Sequence, residues 1–167
     1  MKNKTLATLK YGVMVMVIAL AVSQATVTAQ EPVEAEGNRI MGTWNMQVQF
    51  RDCATGNPLP VSGPTIISYS QGGVITEMAQ AVLPSLRSPA LGVWQHVRGR
   101  DYAGAFKLFR FNPDGTFAGK TIVFSDIRHE LDDTLTSNAV ANVYDSVGNL
   151  VSTVCPTGVG TRFTGED

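Results

Sequence analysis

The sequence lacks the features that define most classes of small protein. Charged residues make up only 16% of its 167 residues, and the formal net charge is −1. That balance argues against a nucleic-acid-binding protein, and a hydrophobic content of 44% argues against an intrinsically disordered chain. Two cysteines are too few for a disulfide-dense scaffold, and neither a heptad repeat nor a Gly-X-Y repeat is present. The length fits one domain with a short appendage.

Recognisable catalytic and metal-binding motifs are also missing. There is no glycine-rich phosphate loop with a lysine, no His-Glu-x-x-His pair, no Gly-x-Ser-x-Gly element and no calcium loop. The two histidines are not spaced with the cysteines as zinc ligands would be. We therefore assign no catalytic residue, no metal site and no cofactor from the sequence.

The first 29 residues have the pattern of an export signal. Three lysines precede an unbroken apolar run from Gly12 to Val22, and small residues follow up to Ala29. A basic start, an apolar centre and a V-x-A site are the parts of a secretory signal peptide. The apolar run is roughly half the length of a membrane-spanning helix, which needs about 20 residues. We expect cleavage near Ala29 and a secreted or periplasmic protein.

Removal of this signal would change the charge balance. It takes away three lysines and no acidic residue, leaving ten basic residues against fourteen acidic ones and a net charge of −4. A mildly acidic surface without a basic stripe argues against nucleic acid and anionic membranes as partners. No later segment reaches membrane-spanning length. We expect a flexible acidic leader at residues 30–39 and one folded domain at residues 40–167.

The two cysteines predict one disulfide. Cys53 and Cys155 lie far apart in a chain that we expect to be exported, where nothing keeps thiols reduced. Closing a loop of about 100 residues contributes about 4.7 kcal/mol in the chain-entropy model, less any strain. The alternatives are two buried free thiols or a metal-binding pair, and nothing in the sequence supports either.

From Gly42 onward, short β-prone runs alternate with turn residues. Thr43 to Arg51 alternates apolar and polar residues, which predicts a half-buried strand with Trp44 and Met46 on its apolar face. The sequence Asn112 to Gly115 predicts a hairpin turn, and Pro156 predicts a bulge in the last strand. The remaining strands are expected at 65–70, 74–78, 92–98, 102–111, 116–131, 134–144 and 150–163.

Eight consecutive strands favour closure into a barrel. An open meander would leave two unpaired edges, whereas the first and last of eight strands run antiparallel and can pair. The disulfide would link the first and last strands across the place where they pair. We therefore predict an all-β fold, a single antiparallel up-and-down eight-stranded barrel. The long connections 52–64 and 79–91 lie at one end, the predicted mouth, and the interior can be filled or hollow.

A Gly-x-Trp motif opens the first strand, and an arginine lies at the end of the last one. Gly42-Thr43-Trp44 with Arg162, eight meandering strands and a long first loop resembles the calycin superfamily, which includes the lipocalins and avidins. The resemblance implies an exported barrel that binds small, often apolar molecules. It also implies that Trp44 plugs the closed end and that Arg162 stacks on it. The Thr-Asp-Tyr turn signature of lipocalins is missing, and Asp132-Asp133-Thr134 stands in its place.

Several short stretches are similar to a group of small exported bacterial proteins without an assigned function. They include Asp52-Cys53, Leu86-Arg87-Ser88-Pro89, Gly92-Val93-Trp94 and the stretch from Phe109 to Gly119. This resemblance covers most of the predicted mature chain and implies one coherent domain, without implying a reaction.

Aromatic residues are concentrated in the fifth and sixth predicted strands. They imply either a filled core or the lining of a cavity. Arg110 would bind a carboxylate if it lies inside the barrel, and Arg87, in the 79–91 connection, could close over a ligand. The candidate ligand contacts are Met46, Phe50, Tyr69, Arg87, Phe106, Leu108 and Arg110.

His96 is the main candidate for acid–base chemistry. With Glu77 or Tyr69 it would form an acid–base pair if its face of the strand points inward. The valines on the opposite face favour the reverse orientation, with His96 in solvent. His129 lies in a charged stretch, Asp126 to Glu130, which predicts a solvated strand end.

The sequence supports three hypotheses of function. The leading one is an exported, non-catalytic barrel that binds a small, partly apolar molecule at its mouth. The second is an isomerase- or cyclase-like enzyme in a barrel similar to that of allene oxide cyclase-like isomerases. The third is a cell-surface interaction module, whose protein partner the sequence does not specify and which would expose an apolar patch on the barrel wall.

Overall fold

The computed structural model describes residues 38–165, and almost all of them lie in β-strands or in the turns between them. One 3₁₀ turn, Pro84–Leu86, is the only helix in this range. The predicted signal peptide and most of the predicted leader lie outside the described residues. The strands are β1 (Gly42–Arg51), β2 (Pro58–Ser70), β3 (Val74–Ala79), β4 (Ala90–Arg98), β5 (Asp101–Phe111), β6 (Phe117–His129), β7 (Thr134–Tyr144), β8 (Leu150–Val154) and β9 (Thr157–Arg162).

The strands close into an antiparallel barrel. Each of β1 to β7 pairs with the next, and β9 pairs with both β7 and β1. Along β7, Ala141 faces Val154 of β8 and Asn138 faces Thr157 of β9. The last two strands therefore form one long strand with a break at Pro156. This confirms the eight-stranded up-and-down barrel and the predicted interruption, and closure pairs the first strand with the last.

The seam between the first and last strands carries the disulfide. Cys53 and Cys155 are bonded, with their Cα atoms 5.1 Å apart. The N–H of Cys155 donates to the carbonyl of Arg51 at 2.9 Å, just before the β1–β9 ladder begins. The predicted disulfide is confirmed, and a disulfide indicates a non-cytoplasmic environment.

The second strand is longer than the sequence predicted. β2 covers 13 residues, so the connection from β1 is 52–57 and the predicted long loop 52–64 is wrong. The prolines in the first half of β2 led to its prediction as a loop. This half pairs with β1 alone, because β3 pairs with β2 only from Thr65 onward. A proline on a free edge removes no ladder bond. The Gln49 amide donates to two carbonyls of this half at 2.8 and 3.2 Å.

Trp44 fills the closed end of the barrel. Its side chain is completely buried, and its Nε1 donates to the carbonyl of Ile40 at 2.8 Å. The guanidinium of Arg162 lies over the indole, 4.2 Å from Cζ to the ring centroid, and also donates to the carbonyl of Met41 at 2.6 Å. A guanidinium over an indole is a favourable cation–π contact.

His129 lies at this same end and is buried, so the predicted solvated strand end is wrong. Only 7% of the residue is exposed, and its ring meets Trp44 edge to face with centroids 5.7 Å apart. Its Nε2 lies 2.7 Å from Asp133, which also accepts hydrogen bonds from Arg162. The charged stretch misled the prediction because alternate residues of a strand point to opposite sides, and only its charged neighbours face outward.

Candidate functional site

The mouth half of the barrel interior contains a cavity of about 240 Å³. This corresponds to the volume of about eight water molecules. Residues of β1 to β3, of β5 to β9 and of the loop 80–89 form walls that are mainly apolar, as expected when alternate positions of each strand line a barrel. The apolar wall residues include Met46, Val48, Phe50, Ile67, Phe106, Leu108, Val123, Ala141 and Val143.

Between the cavity and the closed end, aromatic rings fill the barrel. Tyr69 lines the cavity and meets Trp94 edge to face at 6.2 Å, and Trp94 meets Tyr102 at 5.9 Å. Burial raises the pKa of the Tyr69 hydroxyl, which therefore stays protonated. Among residues 38–165, no side chain or carbonyl forms a hydrogen bond with this hydroxyl. Tyr69 is thus a neutral polar group deep in an apolar cavity.

The cavity wall carries one ion pair. Nη2 of Arg87 lies 2.5 Å from Oε2 of Glu77, and both side chains are largely buried. The hydroxyl of Thr65 donates to Oε1 of Glu77 at 2.7 Å. Arg87 belongs to the connection 80–89 between β3 and β4, whereas Glu77 points inward from β3. The pair therefore attaches this loop to the wall of the cavity and neutralises its carboxylate.

A second guanidinium lies at the mouth. Arg110 follows Leu108 on the inward face of β5, is half-buried and lines the cavity. Its backbone forms an isolated antiparallel bridge with that of Arg87. Within the described range, no carboxylate forms an ion pair with Arg110. Only Glu77, Arg87 and Arg110 are charged among the described residues that line the cavity, so its wall carries one excess positive charge.

The seven residues that we predicted as ligand contacts all line this single cavity. They are Met46, Phe50, Tyr69, Arg87, Phe106, Leu108 and Arg110. Sequence reasoning missed Thr65, and it considered Glu77 only as a partner of His96. Thr65, Ile67 and Tyr69 are spaced two residues apart and therefore share one face of the strand. This spacing could have placed the threonine inside.

The predicted orientation of β4 is wrong. Val93 and Val97 are 63% and 56% exposed, so the valine face points outward and the face of Trp94 and His96 points inward. Both faces of this strand carry apolar residues, and alternation alone does not choose between them. The choice is made by Trp94, whose ring packs between those of Tyr69 and Tyr102.

His96 nevertheless forms no acid–base pair with Glu77. Its Nε2 lies 2.8 Å from the carbonyl of Gly99 at the closed end of the barrel. Glu77 faces Ala90, six positions earlier on β4, which places the two side chains about 20 Å apart along the strand. The two groups therefore lie near opposite ends of the barrel.

The outer wall carries a continuous apolar stripe. Val74, Val93, Ala105, Phe124 and Val140 are directly opposite one another on β3 to β7. Four of these side chains are exposed, Val93 and Phe124 by 63% and 53%. A groove of about 820 Å³ on the outer surface follows part of the stripe and reaches the disulfide. An exposed patch of this kind is typical of an interaction surface.

No known protein-family model and no curated protein matches the chain. The closed barrel is compatible with a calycin-like fold, but neither resemblance drawn from the sequence gains support from these comparisons. Residues 38–165 contain no helix long and apolar enough to cross a membrane. In the same range, no three His, Cys, Asp or Glu side chains are grouped so as to hold a metal ion.

Proposed function

We propose that the protein binds a small, partly apolar molecule inside the mouth half of the barrel, without catalysing a reaction. The observation that carries this proposal is the cavity of about 240 Å³, which has mainly apolar walls. Cavities with apolar walls and a few convergent polar groups are the usual form of small-molecule sites. Here the polar groups are Tyr69, Thr65 and the charged residues near the mouth.

The loop 80–89 supports a site that a ligand enters at the mouth. Val82 and Leu86 of this loop line the cavity, and Arg87 is held by Glu77 on the wall. The loop therefore covers the mouth and is held to the barrel wall by this ion pair and by the backbone bridge between Arg87 and Arg110. An exported protein with this site would be a carrier or a sensor, and the disulfide supports location outside the cytoplasm, whether secreted or periplasmic.

The enzyme hypothesis has less support from the interior. Its one described carboxylate, that of Glu77, already accepts from Arg87 and Thr65, and His96 lies near the other end. A general base must lie within hydrogen-bond reach of the proton that it removes. The arrangement therefore favours binding over proton transfer.

The binding proposal is tested with a neutral apolar probe. We expect 1-octanol to bind the disulfide-bonded protein, measured by calorimetry and by the fluorescence of Trp94, which lies beside Tyr69 at the bottom of the cavity. Ala141→Leu adds bulk to the cavity wall and should weaken binding at least tenfold. Ala103→Leu, which adds the same bulk on the outer face of β5, is the matched control and should bind normally.

Failure of the folded wild-type protein to bind either 1-octanol or octanoate, the acid of the same chain length, would overturn this proposal. Equal affinity in the Ala141→Leu and Ala103→Leu proteins would show that the probe binds outside the cavity.

A second candidate function is self-association through the apolar stripe on β3 to β7. The stripe is flanked toward the mouth by Lys107, which faces Ile122, and toward the closed end by Asp126, which faces Ala103. Both charged side chains are exposed. A two-fold axis through the stripe would place Lys107 of each copy near Asp126 of the other, as an isologous interface requires.

Sedimentation at increasing protein concentration tests this candidate. We expect a dimer that Phe124→Asp dissociates, since this residue lies in the stripe. Phe117→Asp changes a phenylalanine of similar exposure, 46% against 53% for Phe124, that lies outside the stripe, and it should leave the dimer intact. A monomer at all concentrations would exclude self-association.

A further inference from the structure

The charges inside the barrel do not balance. Glu77 and Arg87 neutralise each other at 2.5 Å, whereas Arg110 has no carboxylate partner within residues 38–165. A charge removed from water is costly unless it is paired. Arg110 is half-buried at the rim of an apolar cavity, so a ligand that supplies one negative charge would satisfy it.

We propose that the ligand is an amphipathic carboxylic acid, with its carboxylate on Arg110 at the mouth and its apolar tail inside the barrel. This inference rests on the proposed function and names the ligand class of the same site. A guanidinium presents a planar fork of N–H donors that matches a carboxylate with two parallel hydrogen bonds. Arg87 cannot take this role, because its guanidinium already donates to Glu77.

The direction of the ligand is set by the order of residues on β5. Arg110, Leu108 and Phe106 occupy successive inward positions from the mouth toward the interior, and all three line the cavity. On the neighbouring strand, Val123 faces Phe106 and also lines it. A molecule lying along β5 therefore has its acid group at the rim and its tail against aliphatic and aromatic side chains.

The size of the cavity limits the length of the tail. A volume of about 240 Å³ corresponds to about eight water molecules, which is comparable to a linear acid of about eight carbons. The hydroxyl of Tyr69 lies at the deep end without a protein partner among the described residues, so the site also offers a polar contact to an oxygen near the end of the tail.

The test compares octanoate with 1-octanol, which has the same chain length and no charge. At neutral pH and low salt, we expect wild-type protein to bind octanoate at least tenfold more tightly than 1-octanol. Arg110→Met keeps an apolar stem and removes the charge, so it should remove this difference between the two ligands. Calorimetric titration measures both ligands.

Arg98→Gln is the matched control. It removes one positive charge from a side chain that is 86% exposed at the closed end, and it should leave both affinities unchanged. A measurement on the wild-type protein alone gives a second check, since added salt should weaken octanoate binding and not 1-octanol binding.

Each outcome separates the two proposals. Equal affinity for octanoate and 1-octanol in the wild-type protein would overturn the carboxylate inference while the binding function stands. Preference for octanoate that survives Arg110→Met would overturn the role of Arg110. Octyl sulfate binding at least tenfold more tightly than octanoate would show that the anion class is wrong. Failure of both eight-carbon ligands to bind would overturn the proposed function itself.

Discussion

Arg87 and Glu77 form a short ion pair, 2.5 Å between Nη2 and Oε2, that joins the loop over the mouth to the wall of the cavity. The pair lies among apolar side chains, and Thr65 satisfies the second carboxylate oxygen. Because both charges have left bulk water, the net energy of the pair is small compared with the cost of removing one partner alone. This ion pair makes the loop and the cavity wall one unit.

We predict that Glu77→Gln destabilises the protein by about 3–5 kcal/mol, because it leaves the Arg87 guanidinium buried without a counter-charge. The double variant Glu77→Gln/Arg87→Met should recover most of this loss. Urea unfolding of the disulfide-bonded proteins measures both effects. Asp101→Asn breaks an exposed pair with Arg128 and should cost less than about 1 kcal/mol. A similar small loss for Glu77→Gln would contradict the prediction.

Trp44→Ala should lower the free energy of unfolding by about 3–5 kcal/mol. The indole is completely buried at the closed end, and its removal leaves a cavity and deprives the Arg162 guanidinium of its aromatic contact. Chemical denaturation gives the value. Leu91→Ala, on the outer face of β4 and 65% exposed, should change stability by no more than about 0.5 kcal/mol. Comparable effects of the two substitutions would show that Trp44 does not hold the closed end.

Cys53→Ser should destabilise the protein as much as the double variant Cys53→Ser/Cys155→Ser, because either change breaks the same bond. A loop of about 100 residues sets an upper value of about 4.7 kcal/mol for the loss. Thermal or urea unfolding without reductant compares wild type, Cys53→Ser, Cys155→Ser and the double variant. Additive losses from the two single substitutions would mean that the cysteines act independently.

Protonation of Asp133 should lower the stability of the protein in acid. Hydrogen bonds from Arg162, then from His129, lower the pKa of this carboxyl below its usual value of 3.8. A lowered folded-state pKa contributes stability that is present above the unfolded-state value and is lost as the pH falls through the folded-state value. We therefore expect Asp133→Asn to be less stable than wild type at pH 5, and the difference to shrink toward pH 2.

Unfolding measured in small pH steps tests this prediction. Asparagine is the suitable replacement because Asp133 has φ of 60°, a left-handed conformation that asparagine tolerates. Asp145→Asn in another turn is a positive control, because hydrogen bonds, first from the Asn149 side chain, also lower the pKa of that carboxyl. A stability difference for Asp133→Asn that stays constant from pH 5 to pH 2 would contradict the assignment.

The sequence predicted most strands because local patterns decide them. In β1, Trp44 and Met46 alternate with polar residues, and only one register buries them. Turn residues such as Asn112 to Gly115 mark the ends of neighbouring strands. The prediction was wrong for the orientation of β4, because this strand has apolar residues on both faces. It was also wrong for the first half of β2, whose prolines are typical of a loop.

An all-β chain of antiparallel hairpins, its closure as a barrel and the pairing of Cys53 with Cys155 were all predicted from the sequence. Alternation and turn residues act over short stretches, an even strand count allows the first and last strands to pair, and two cysteines allow one pairing within the chain. Three properties became evident from the assembled barrel alone: the mouth half is hollow, Glu77 pairs with Arg87, and Arg110 has no carboxylate partner among the described residues. The reason is that these properties depend on which side chains from distant strands meet inside the barrel, and that is set by the register of the closed sheet.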